Sequence, residues 1–187
     1  MHQDLERILL REAEIEAGIA RLAEELTRAY AGKRLAVVAV LKGSFLFAAD
    51  LVRRLPLQLE LSFVMARSYC GAGPGERLDV DWLPSASELE GRDVLLVDDI
   101  LDTGRTLQHL ARELRARGAR EVKTCVLLDK PARHAAELAP DWCCFTIPDV
   151  FVVGFGLDFD GRYRNLPCVA ALKREVLERQ PAEGELA

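Results

Sequence analysis

The sequence predicts an α/β fold built on a mainly parallel, twisted sheet flanked by helices. Three observations carry that expectation. Short apolar runs rich in β-branched residues alternate with amphipathic stretches along most of the 187 residues. Several of those runs hold no polar residue, as strands covered on both faces do not. And several end abruptly in charged or small residues, which a parallel sheet gathers along one edge. At this length a single domain, 1–187, is the simplest organisation, and no repeat or linker suggests a second.

In order, Leu5, Ile8, Leu9, Ile15, Ile19, Leu22, Leu26 and Tyr30 recur mostly at three and four residues. That spacing predicts an amphipathic helix or broken pair over about 3–30, stopping near Gly32. Leu35 to Leu41 reads as a buried strand that meets Lys42-Gly43-Ser44. Phe45 to Leu55 then reads as a helix, with Ser44 as its cap and Pro56 as its stop. Taken alone, Lys42-Gly43 also fits an ordinary turn with a solvated lysine. Leu57, Leu59, Leu61, Phe63 and Met65 alternate with more polar residues, the pattern of a half-exposed strand. The glycine-rich stretch that follows, from Ser68 to about position 80, suits either a lid or a long hairpin connection. Its glycines do not make a dinucleotide fingerprint, and no Walker A sequence is present. Further strands are expected at Val94–Val97, Glu121–Leu128, Trp142–Ile147 and Phe151–Phe155, with a helix from Leu107 to Arg117 ended by Gly118.

Half of the residues are hydrophobic and 29% charged, which argues against disorder. The formal net charge of −5 gives no bulk footprint for nucleic acid. Met1 to Arg11 is charged and lacks the apolar core of a signal peptide, and no apolar run approaches the roughly 20 residues of a membrane span. Cys70, Cys125, Cys143, Cys144 and Cys168 are odd in number and form no C-x-x-C pair. Reduced thiols in a cytoplasmic protein are expected, without a zinc site.

The chemistry concentrates in Val94 to Leu107. A buried strand runs into Asp98, Asp99 and Asp102, then the small-residue loop Thr103-Gly104-Arg105-Thr106, then a helix. Such a loop offers backbone N–H groups at a helix N-terminus, a ready anion site. Carboxylates beside a phosphate repel it unless a cation intervenes, so the stretch suggests a Mg²⁺-bound phosphorylated substrate.

Asp98-Asp99-Ile100-Leu101-Asp102-Thr103-Gly104-Arg105-Thr106 after an apolar strand resembles the phosphoribosyl-diphosphate (PRPP) motif of type I phosphoribosyltransferases. Leu41-Lys42-Gly43-Ser44, Leu128-Asp129-Lys130-Pro131 and Phe151-Val152-Val153-Gly154 through Asp158 to Arg164 narrow the resemblance to bacterial hypoxanthine-guanine phosphoribosyltransferases. The pieces span about 35–170 in the family's order. The resemblance implies that family's fold, a core sheet over about 35–140 with a small base-binding hood at about 141–180 and a mobile catalytic loop. It also implies a homodimer or homotetramer, with no nucleic-acid or membrane partner.

The activity it implies is transfer of the 5-phosphoribosyl group from PRPP to hypoxanthine or guanine, giving IMP or GMP and pyrophosphate. Asp98 and Asp99 would hold the ribose hydroxyls, in part through Mg²⁺, and Asp102 would be the proton partner at purine N7. Thr103, Gly104, Arg105 and Thr106 would cradle the 5′-phosphate. Lys42 and Gly43 would face the pyrophosphate, next to a strained or cis Leu41–Lys42 peptide, with Arg164 as a second cation. Lys130 would donate to the purine 6-oxo group, which an all-donor ammonium prefers over the 6-amino group of adenine. Phe151 would stack on the base and Val152 read its edge. Asp158 would serve a second Mg²⁺, and Ser68-Tyr69 would fold over the leaving group. Asp98 stands where many relatives carry Glu, and Cys70 where many carry Gly. Transfer to xanthine or adenine, or a regulatory RNA-binding role on the same fold, are the alternatives.

Overall fold

Nine strands and five helices are described in a computed structural model, which covers residues 2–68, 78–134 and 139–178. Their order is β1 (Leu5–Leu10), α1 (Glu12–Ala29), β2 (Leu35–Leu41), α2 (Phe45–Val52), β3 (Leu59–Ser68), β4 (Leu78–Asp81), α3 (Ala86–Leu89) and β5 (Asp93–Leu101). There follow α4 (Arg105–Ala116), β6 (Glu121–Asp129), β7 (Trp142–Thr146), β8 (Val152–Val153), β9 (Val169–Leu172) and α5 (Arg174–Leu177). The main sheet has the order β4-β3-β2-β5-β6-β7. All its neighbours run parallel except β4, which pairs antiparallel with β3 at one edge. The α/β expectation holds.

Helices cover both faces because successive strand residues point to opposite sides. Val37, Ala39, Leu95 and Val97 pack under Ile15, Ile19, Leu22 and Leu26 of α1 and Phe47 and Leu51 of α2. Ala36, Val38, Val94 and Leu96 face Leu107, Leu110 and Leu114 of α4. A second, three-stranded antiparallel sheet, β1-β9-β8, forms the hood. Its own small core holds Val153, Tyr163, Leu166, Ala170 and Val176.

Four local expectations are corrected. The segment 3–30 is not one helical unit: Leu5–Leu10 is a strand paired with β9, and the helix starts only at Glu12. The strand expected at Val94–Val97 runs on to Leu101, because its ladder with β6 continues through Asp98–Val126 and Leu101–Asp129. Helix α2 stops at Val52, ahead of Pro56, and Ser44 does not cap it. The Ser44 hydroxyl instead donates back to the Val40 carbonyl at 2.5 Å. Finally, β9 was not expected at all.

Cys125, Cys143, Cys144 and Cys168 are free thiols, and burial pushes Cys143 up to about 11 and Cys144 up to about 12. Cys70 lies outside the described residues. Among the described residues no helix is long and apolar enough to cross a membrane.

Candidate active site

The strand order reverses between β2 and β5, since β3 lies on one side of β2 and β5, then β6, on the other. Open α/β sheets bind ligands at the carboxyl ends of the strands at such a switch point. The β2–β5 ladder stops at Ala39 opposite Val97, so both chains continue beyond it without pairing to each other. A cleft of about 980 Å³ opens there. Its walls carry Lys42 and Gly43 from the end of β2, Asp98 to Leu107 from β5 through the first turn of α4, and Asp158 and Arg164 from the hood.

Contact between these segments is close. A Cβ on Gly43 would stand 1.5 Å from Asp99 Oδ2, so only glycine lets the β2–α2 turn approach that carboxylate. On its other side, a Cβ on Gly156 would meet the Gly43 carbonyl oxygen at 2.0 Å. The hood, the β2 turn and the β5 carboxylates are thus stacked at van der Waals limits. The Leu41–Lys42 peptide is cis, as the resemblance implied. Gly104 takes the left-handed conformation, φ 79°, and starts α4 with its carbonyl accepting from the Gln108 amide. Residues 103–107 line the cleft, so the start of α4 lies at its wall, where an anion site would be.

Electrostatics at the end of β5 are strained. Asp98 is only 8% exposed, and its carboxyl is raised well above 3.8 by burial first and by the neighbouring Asp99 charge second. Burial also raises Asp99, against opposing contributions that include the Arg164 cation. The Asp99 amide donates to Asp98 Oδ1 at 2.9 Å. Two adjacent, partly desolvated carboxylates lack enough positive charge, and a divalent cation fits that deficit. Among the described residues no group of three or more ligating side chains forms a protein-only metal site. Mg²⁺ fits nonetheless, since it is commonly held by one or two carboxylates plus substrate oxygens.

Asp158 is engaged on both oxygens: Oδ1 pairs with Arg164 at 2.6 Å and Oδ2 accepts the Gly161 amide at 2.7 Å. Arg164 also donates to the Gly156 carbonyl at 2.6 Å, which fixes it at the hood side of the cleft. Asp102 accepts a hydrogen bond from Arg133 Nε at 2.8 Å.

Lys130, Phe151 and Val152 do not line this cleft. Lys130 stands beside it, 7% exposed, with its amide bonded to the Leu101 carbonyl at 3.0 Å. Phe151 is 44% exposed and meets Phe159 edge-on, with ring centroids 5.6 Å apart. Val152 is buried in β8. Ser68 ends β3 opposite Leu78, while Tyr69 lies outside the described residues. Three residues of the region escaped the sequence reading: Arg133, Gly156 and His109, the last of which lines the cleft from α4. Gly156 lies within the Phe151-to-Arg164 stretch quoted for the resemblance but drew no role there, and nothing marked the other two.

Comparison with known proteins decides the family. Residues 7–160 match the phosphoribosyl transferase domain. The chain belongs to that family. Within the family, it is 45% identical over 180 residues to the hypoxanthine-guanine phosphoribosyltransferase of Lactococcus lactis, covering 94% of this chain and 95% of that one. It is 42% identical to the bifunctional protein TilS/HprT of Listeria monocytogenes, and spans only 27% of that relative's length. The crystal structure of a hypoxanthine phosphoribosyltransferase from Staphylococcus aureus superposes with a TM-score of 0.89 at 38% identity, covering 96% of this chain and 97% of that one.

Proposed function

We propose that this protein transfers the 5-phosphoribosyl group of PRPP to hypoxanthine, guanine or both, yielding IMP or GMP and pyrophosphate in purine salvage. The observation that carries the reading is the convergence, at the sheet's switch point, of an anion-binding helix start, a charge-deficient carboxylate pair and two cations from opposite walls. Those are the parts a ribose bearing a phosphate at one end and a pyrophosphate at the other needs.

The reaction breaks the bond from C1′ to the pyrophosphate oxygen and forms one to a purine ring nitrogen. Positive charge grows on the ribose and negative charge on the leaving group. When bound with PRPP at Asp98 and Asp99, Mg²⁺ would neutralise charge on the pyrophosphate. The 5′-phosphate rests on the Thr103–Thr106 loop at the start of α4. Asp98 and Asp99 hold the ribose hydroxyls and the cation. Lys42 and Arg164 flank the leaving group, with Gly43 allowing its backbone close approach. Asp158, bonded to Arg164 and to the Gly161 amide, would hold a second Mg²⁺ directly or through water. Lys130 donates to the purine 6-oxo group, Phe151 stacks on the ring and Val152 reads its edge. Asp102 accepts the proton from N7 as the new bond forms at the other imidazole nitrogen of the purine. The hood, built of β8, β9 and the N-terminal β1 rather than of the whole stretch 141–180, whose β7 joins the main sheet, completes the base side of a single domain. Free thiols on the described cysteines suit a cytoplasmic enzyme, and dimers or tetramers are expected.

Asp102→Asn tests the assignment of roles. Turnover should fall by about a hundredfold or more, the range of a lost proton partner, while PRPP affinity measured by calorimetry stays near the wild-type value. Parallel loss of binding and turnover would remove Asp102 from the proton step.

A further inference from the structure

Arg133 stands in the turn Pro131–Arg133, three residues beyond Lys130, and touches carboxylates from two other segments. Its Nε donates to Asp102 Oδ1 at 2.8 Å, and the same atom lies 3.9 Å from Oδ1 of Asp149. Asp102 belongs to the loop that reads PRPP, whereas Asp149 lies two residues before Phe151, the stacking residue. Arg133 therefore ties the proton partner to the loop that presents the base.

The turn that carries it is fastened at both ends. At its start, the Lys130 amide donates to the Leu101 carbonyl at 3.0 Å, one residue before Asp102. Within it, the Arg133 amide donates to the Lys130 carbonyl at 2.9 Å. At its end, His134 Nε2 and Asp129 Oδ1 are 2.6 Å apart. The main chain that carries the guanidinium is thereby tied down at both ends.

We infer that Arg133 is a positioning residue for the reaction, one that fixes the rotamer of Asp102 and so aims its carboxylate at the purine N7. The same turn then sets two purine contacts at once: Lys130 on the 6-oxo group directly, and Asp102 on N7 through Arg133. In the open cleft the pair is half exposed, with 48% of the Arg133 and 42% of the Asp102 side chain accessible, and contributes little to stability. A purine seated over it removes water, which strengthens the bond that holds the Asp102 carboxylate in place. Arg133 has this role only if Asp102 is the proton partner, and one experiment separates the two questions.

Steady-state constants for PRPP and hypoxanthine are measured for wild type, Arg133→Ala, Arg133→Lys, Asp102→Asn and the Arg133→Ala/Asp102→Asn double variant. Arg133→Ala should lower kcat about tenfold, as expected for one lost charge-assisted bond, with KM for PRPP unchanged. Arg133→Lys should restore a substantial part of that loss. In the Asp102→Asn background, removal of Arg133 should cost nothing further, because a residue acting through Asp102 has nothing left to act on. An equal loss in both backgrounds, an unchanged or raised kcat in Arg133→Ala, or a matching rise in KM for PRPP would overturn the inference. Unchanged turnover in Asp102→Asn alone would instead overturn the role of Asp102, and that of Arg133 with it.

Discussion

Asp98 shows at the scale of one residue how a site works against its own fold. Its carboxyl is raised well above 3.8, so the folded chain binds that proton more tightly than the unfolded one. The sign follows: the contribution to stability is fully present below the ordinary carboxylate value and is lost as pH rises through the raised one. Asp98→Asn should therefore raise Tm at about pH 8 more than at about pH 5, while abolishing PRPP binding. A Tm lower than wild type at both values would show that the pair is already compensated. Gly43→Ala tests the neighbouring contact. The added methyl would have to displace the Asp99 carboxylate 1.5 Å from it. A displacement of that order costs about a hundredfold in activity, read as kcat/KM for PRPP with the far-ultraviolet spectrum unchanged. At this scale the sequence was legible wherever neighbours in the chain make the chemistry, as in Asp98 to Thr106. It was silent on Arg133, because an ion pair between residues 31 apart depends on where two strands end.

Elements follow the same division. Helix α4 was readable because Leu107, Leu110 and Leu114 repeat at helical spacing and all face the sheet. Leu110 is fully buried, so Leu110→Ala should destabilise the protein by about 2–5 kcal/mol. A lower midpoint in urea with an unchanged slope would report it. A cost near zero would mean that α4 is not what covers this face. Strand β1 was not readable. Leu5, Ile8 and Leu9 continue the three- and four-residue spacing of α1, so periodicity alone runs straight through the break at Arg11. What makes Leu5–Leu10 a strand is its pairing with Val169–Leu172 at the other end of the chain. Non-local pairing also explains why β5 outlasts its apolar run: the ladder with β6 carries two carboxylates into the strand.

On the scale of the whole molecule, the site is where three segments distant in the sequence meet: the β2 turn, the β5–α4 loop and the hood. The cation deficit at their junction gives a further expectation. Chelation of Mg²⁺ should abolish turnover and lower PRPP affinity without unfolding the protein, since no described cluster depends on a metal for its own integrity. A chelator that lowers Tm of the ligand-free protein would contradict that. The residues proposed to hold PRPP line the cleft, whereas those proposed to choose the base, Lys130, Phe151 and Val152, stand outside its walls. The most direct measurement therefore offers the protein PRPP, Mg²⁺ and one nucleobase at a time, and follows nucleotide and pyrophosphate. Hypoxanthine, guanine or both should be converted, in equal amounts of nucleotide and pyrophosphate, and adenine should not. Turnover of adenine in preference to 6-oxopurines, or no turnover with any of them, would contradict the account.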